Sequence, residues 1–148
     1  MTAKEYLQQI YIIHRKVKRL EEQREQLRAD LYSIGSPAGK MDADKVQTSM
    51  SGDNMLRLIA KVDKIDRDIV GEVNALLDVK AKIIKQIERM PNENQKDVLN
   101  KRYVNFRRWE QIAVDMNITV RHVYRIHGDA LQSFTRMYKD VIVCHKTT

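Results

Sequence analysis

Residues 98–131 read VLNKRYVNFRRWEQIAVDMNITVRHVYRIHGDAL, and the spacing of the apolar positions in this stretch decides the fold. A first helix runs from Gln95 to about Tyr103, where Val98, Leu99 and Tyr103 share one face. Val104-Asn105-Phe106 breaks the period. A second helix follows from about Arg108 to Met116, with Trp109, Ile112, Ala113 and Met116 making an apolar face. Asn117-Ile118 interrupts again, and Thr119 opens a third helix, its hydroxyl placed to accept a backbone N–H from the next turn. The inward residues of this last helix are Val123, Ile126, Ala130, Leu131 and Phe134. Val120, Arg121, Tyr124 and Arg125 fall on the other side of its first turns.

Two helices joined by a short turn, the second presenting polar side chains near its start, meet the demands of a helix-turn-helix. Ala113 is small enough for a close helix crossing, and Ile118 is placed to plug the core beneath the turn. Arg121 and Arg125, four residues apart, project from one face. An arginine fork there can pair with guanine O6 and N7, bind phosphate, or remain a solvated charge. Tyr124 between them has three readings: a sugar stack, a thymine-methyl contact, or core packing.

The same stretch resembles region 4 of sigma-70-family transcription factors, over about a third of the chain. The matching order is an Arg-Tyr-like helix end, a short loop, a Glu-x-Ile-Ala-like helix, a Ser or Thr cap and a Val-x-x-Ile-x-x-x-Ala-Leu recognition helix. With KVQTS at Lys45 to Ser49 and a long helical arm ahead, the whole chain is similar to small phage and prophage proteins. These are grouped with the ArpU and RinA-like regulators of late transcription. The resemblance implies a phosphate contact at Arg108, with Arg107 beside it. It also implies a cap at Thr119 and base-facing positions at Val120, Arg121, Tyr124 and Arg125. Where housekeeping factors carry Arg-Glu-Arg after the cap, this chain has Val120-Arg121-His122, so a different DNA sequence is expected. Arg107, Arg108, Thr119, Val120, Arg121, His122, Tyr124 and Arg125 make up the expected DNA-binding set.

Ahead of this stretch, Ala3, Tyr6, Ile10, Ile13, Val17, Leu20, Arg24, Leu27, Leu31 and Ile34 form an unbroken heptad seam. Thr2 and Glu5 supply a capping box, while Gly35, Ser36 and Pro37 stop the helix. A loop covers residues 35–53. A second long helix starts near Asp53 and carries Met55, Leu58, Val62, Ile65, Ile69, Val73, Leu76, Ile83, Ile87 and Met90, ending at Pro91. Gly71 inside it marks local bending or the close approach of a partner. The seams can close on each other as an antiparallel hairpin or pair between chains as a homo-oligomer. Arg24 either sets the register or lays its methylenes along the seam. The cluster His14, Arg15, Lys16, Lys18 and Arg19, followed by Glu21, Glu22 and Glu25, reads as paired charges on a solvated face.

The expected architecture is therefore all-α: a helical hairpin arm over 1–90, a helix-turn-helix unit over 92–140, and a tail over 141–148. With 148 residues and a formal charge of +7, the chain can bury a core and attract polyanions, though charge alone names no partner. A single cysteine, Cys144, allows no intrachain disulfide, and no apolar run is long enough for a signal peptide or membrane span. A cytoplasmic, nucleoid-associated protein is expected. His122 and His127 are wrongly spaced to share a metal ion, and no phosphate loop, serine elbow or acid-base carboxylate pair occurs, so neither cofactor nor catalysis is expected. Three functions fit. The first is a sequence-specific regulator of late phage transcription that binds double-stranded DNA and acts with host RNA polymerase. The second is a small terminase subunit, and the third an interaction module for polymerase or a sigma factor.

Overall fold

The computed structural model describes residues 1–35 and 48–144. Among them every element is helical and there is no strand, so the class is all-α. The order is α1 (Ala3–Leu7), α2 (Gln9–Gly35), α3 (Thr48–Glu88), α4 (Glu93–Leu99), a π-helical turn (Asn100–Val104), α5 (Trp109–Met116), α6 (Val120–Met137) and α7 (Lys139–Cys144). No helix among the described residues is long and apolar enough to cross a membrane.

The helices divide into two compact units, Met1–His14 with Ala75–Thr148 and Arg15–Asn74. The boundary expected after Met90 is not where the chain separates. Each long helix instead gives one end to the unit that holds the helix-turn-helix and the rest to the hairpin.

In the hairpin unit α2 and α3 run antiparallel. Lys16 pairs with Glu72, and Arg24 and Arg28 reach Asp66 at 3.2 and 3.9 Å, so rising numbers on one helix meet falling numbers on the other. Val17, Val62 and Ile69 are buried between them. The Arg24 guanidinium donates to Asp66 across the seam. Lys16 likewise bridges the two helices, where the sequence reading placed the charges of its cluster in pairs along one helix. Residues 36–47, and with them most of the 35–53 loop and the start of KVQTS, lie outside the described residues. Thr48–Gly52 are helical, extending α3 ahead of the expected start at Asp53. Once a long amphipathic helix is nucleated, adding residues at its end needs no further nucleation, which outweighs the weak propensity of Ser and Gly there. A Cβ at Gly71 would meet nothing within 4 Å, so no close approach within the protein requires that glycine.

In the other unit, Thr2 caps α1 as expected. Its hydroxyl accepts the Glu5 N–H at 3.2 Å, while the Glu5 carboxylate accepts the Thr2 N–H at 2.6 Å. The core joins Tyr6, Leu7 and Ile10 from the first two helices to Ile83 and Ile87 near the end of α3 and Met90 just beyond it. Leu99, Tyr103 and Val104 then meet Ala130 and Phe134 of α6. Gln86 is buried yet satisfied: the Tyr6 hydroxyl donates to its side-chain oxygen at 2.9 Å and the Tyr138 hydroxyl to its backbone oxygen at 2.8 Å. Ile142, assigned by sequence to the tail, is buried in this core as part of α7. Tyr138 leaves helical geometry at φ −123°, and the chain restarts as a short helix whose Val141 and Ile142 pack inward.

Candidate nucleic-acid interface

Asn92 starts α4 by accepting the Gln95 N–H with its side chain. The helix then widens through Asn100–Val104, where the expected regular helix to Tyr103 becomes a π-turn closed by Asn105 N–H to the Asn100 carbonyl at 3.0 Å. Phe106 follows in left-handed geometry at φ 55°, which costs a β-carbon-bearing residue on the order of 1–2 kcal/mol. Its ring packs against Tyr11 at 5.4 Å and His14 at 5.1 Å, and these contacts offset the strain. The conformation turns the chain so that Arg107 N–H bonds the Lys101 carbonyl, and the Arg102 guanidinium bonds the Arg107 carbonyl. Arg107 and Arg108 are thereby delivered to the start of α5.

Arg108 caps α5, its N–H held by the Gln111 side chain at 3.2 Å, and its own side chain is exposed. The α5 helix ends in a left-handed Asn117 at φ 54°. Ile118 N–H bonds the Ala113 carbonyl at 3.0 Å and Asn117 N–H the Val114 carbonyl at 3.1 Å, the paired bonds of a Schellman motif. Thr119 then caps α6, accepting the His122 N–H at 3.2 Å. A three-residue turn with both ends satisfied thus joins α5 to α6. Val98, Ile112, Ala113 and Val123 are buried beneath it, with Ile118 half-buried against them. The roles read for Ala113 and Ile118 match this packing.

Arg121, His122, Tyr124 and Arg125 are exposed on the first turns of α6. Arg121, Arg125 and Arg108 make no ion pair among the described residues. Arg107 differs, because its Nε lies 3.8 Å from Asp115, which also meets Lys101 at 3.9 Å. Val120 differs too: it is half-buried against the α5 side of the cluster instead of standing with the outward face. One residue is a 100° step around a helix, enough to carry Val120 from the Arg121 direction onto the flank. Of the readings of Tyr124, core packing holds in part: its ring sits 5.1 Å from Trp109 while 49% of it stays exposed. Trp109 also carries the Arg102 guanidinium 4.3 Å over its ring and the His127 imidazole at 4.7 Å.

The sequence reading missed how His127 is used. Its Nε2 is 2.8 Å from the Tyr103 hydroxyl. Burial, then the charges of Lys4 and Arg102, lower its pKa to about 4, and burial raises that of Tyr103 to about 12. The tyrosine therefore donates and a neutral imidazole accepts. Because the folded pKa lies below the ordinary 6.5, this group's contribution is complete above pH 6.5 and is lost as pH falls through 4. Discounted for partial exposure, the loss is about 1–2 kcal/mol. Urea melts at pH 7 and pH 4 are expected to show it, and His127→Gln is expected to remove that part of the pH dependence. An unchanged profile in the variant would refute the assignment.

Comparison of the chain with protein-family models, curated proteins and solved structures returns no match. The functional reading rests on this geometry and on the motif spacing.

Proposed function

We propose that this protein binds duplex DNA in a sequence-specific manner, with α6 as the recognition helix. The observation that carries the reading is the exposed face of Arg121, Tyr124 and Arg125 on the first turns of a helix capped by Thr119 and braced by α5. Two exposed guanidinium groups at that place suit guanine edges and phosphates in a major groove. Arg108 at the start of α5, with Arg107 next to it, supplies cations for the flanking phosphate backbone. His122, also exposed there, adds a donor at the groove edge.

On the resemblance to sigma region 4 and to ArpU and RinA-like phage regulators, the biological role is regulation of transcription, as an activator of a late phage operon acting with host RNA polymerase in the bacterial cytoplasm. The hairpin unit is then available to join two copies, which would match paired half-sites.

Selection of the full chain against a randomised duplex pool at low salt tests the DNA reading. Enrichment of one recurrent motif is expected, with affinity falling steeply as salt rises. A pool that stays random after repeated rounds would overturn it.

A further inference from the structure

We propose that the DNA-binding surface does not end at Arg125. It continues along α6 over Gly128 into the groove between α1 and α6, where it holds a sugar–phosphate strand of the same duplex. This rests on the DNA-binding reading above.

Gly128 lies in the middle of an 18-residue helix. Seven residues from Arg121, it is within about 20° of the same direction and roughly 10 Å further along the axis. Its backbone is not left-handed, and a Cβ built there would meet nothing within 4 Å. Neither conformation nor internal packing requires glycine at this position, and glycine weakens a helix relative to alanine. What glycine supplies is closer access to the helix backbone from outside, on the face that carries Arg121, Tyr124 and Arg125.

The next exposed residue in this direction is Gln132. It borders a groove of about 400 Å³ between α1 and α6, which is also lined by Thr2, Lys4, Leu131, Thr135 and Arg136. Lys4 and Arg136 are exposed and form no ion pair among the described residues; the Glu5 carboxylate stands at the edge of the groove, bonded to the Thr2 N–H at 2.6 Å. Two cations with the Gln132 amide between them match the anionic, acceptor-only oxygens of successive phosphodiesters, while the Thr135 hydroxyl donates to the Leu131 carbonyl at 2.7 Å and the floor of the groove is largely apolar. A strand passing close over Gly128 would run into them.

Full-length Gly128→Ala and Lys4→Gln/Arg136→Gln proteins, titrated against the selected duplex and a scrambled one of equal length, test this. Gly128→Ala is expected to raise the melting temperature by about 3 °C while weakening binding to both duplexes about tenfold. The double variant is expected to keep its sequence preference and melting temperature but to lower the slope of log affinity against log salt by about 2. Wild-type affinity in Gly128→Ala, or an unchanged slope in the double variant, would overturn the extended surface. Arg121→Ala/Arg125→Ala separates the two readings: if that variant loses sequence preference while the others behave as wild type, only the extension falls. If the wild-type protein binds no duplex at low salt, both fall.

Discussion

Replacing Arg121 and Arg125 together by alanine is expected to cut affinity for the preferred duplex about 100-fold or more, as read by fluorescence anisotropy at fixed salt. The size follows from two arginine forks, each worth about 1–3 kcal/mol of discrimination when paired with a guanine edge. Both side chains are exposed and make no ion pair among the described residues, so little intramolecular energy is lost with them. The melting temperature is therefore expected to stay within about 1 °C of wild type. A variant that lost binding and stability together would indicate a folding defect instead.

The second large effect concerns the chain boundaries of the helix-turn-helix unit. A fragment limited to residues 92–140, the unit that sequence alone marks out, is expected to show no cooperative thermal transition. Phe134, Ala130, Leu99 and Tyr103 share one buried core with Tyr6, Leu7, Ile10, Ile83, Ile87, Met90 and Ile142, all seven of which lie outside the fragment. At about 1.5–3 kcal/mol for each large apolar side chain removed from water, the missing partners represent about 10 kcal/mol or more. That equals the whole stability of many domains. Circular dichroism melts of fragment and full chain check this, and a cooperative melt of the fragment near the full-chain temperature would contradict the shared core.

These two results separate what the sequence reveals from what it hides. The helix-turn-helix was legible because its determinants are local. The three-residue turn, the Thr119 cap and the spacing of Ile112, Ala113 and Val123 all lie within a few residues of what they act on. The Thr2–Glu5 capping box was legible for the same reason. The split of the long helices between two units was not, because a heptad seam shows which face is apolar and not which partner covers it. Tyr6 and Val17 sit on one continuous stripe of the sequence, yet they belong to different cores. Val120 shows the limit of face assignment near a helix start, where a single 100° step decides between groove and flank. The Tyr103–His127 pair spans 24 residues, and the left-handed Phe106 depends on Tyr11 and His14 far earlier in the chain. Nothing in local spacing signals either.

The decisive quantity is the specificity ratio: affinity for the selected duplex divided by affinity for a scrambled duplex of equal length, at one salt concentration, for wild type and for Arg121→Ala/Arg125→Ala. The wild-type ratio is expected to be on the order of 10³ or greater. In the variant it should fall toward one, with a residual, salt-sensitive affinity left by the phosphate contacts. A ratio unchanged by the double substitution would show that α6 does not read the bases through this face.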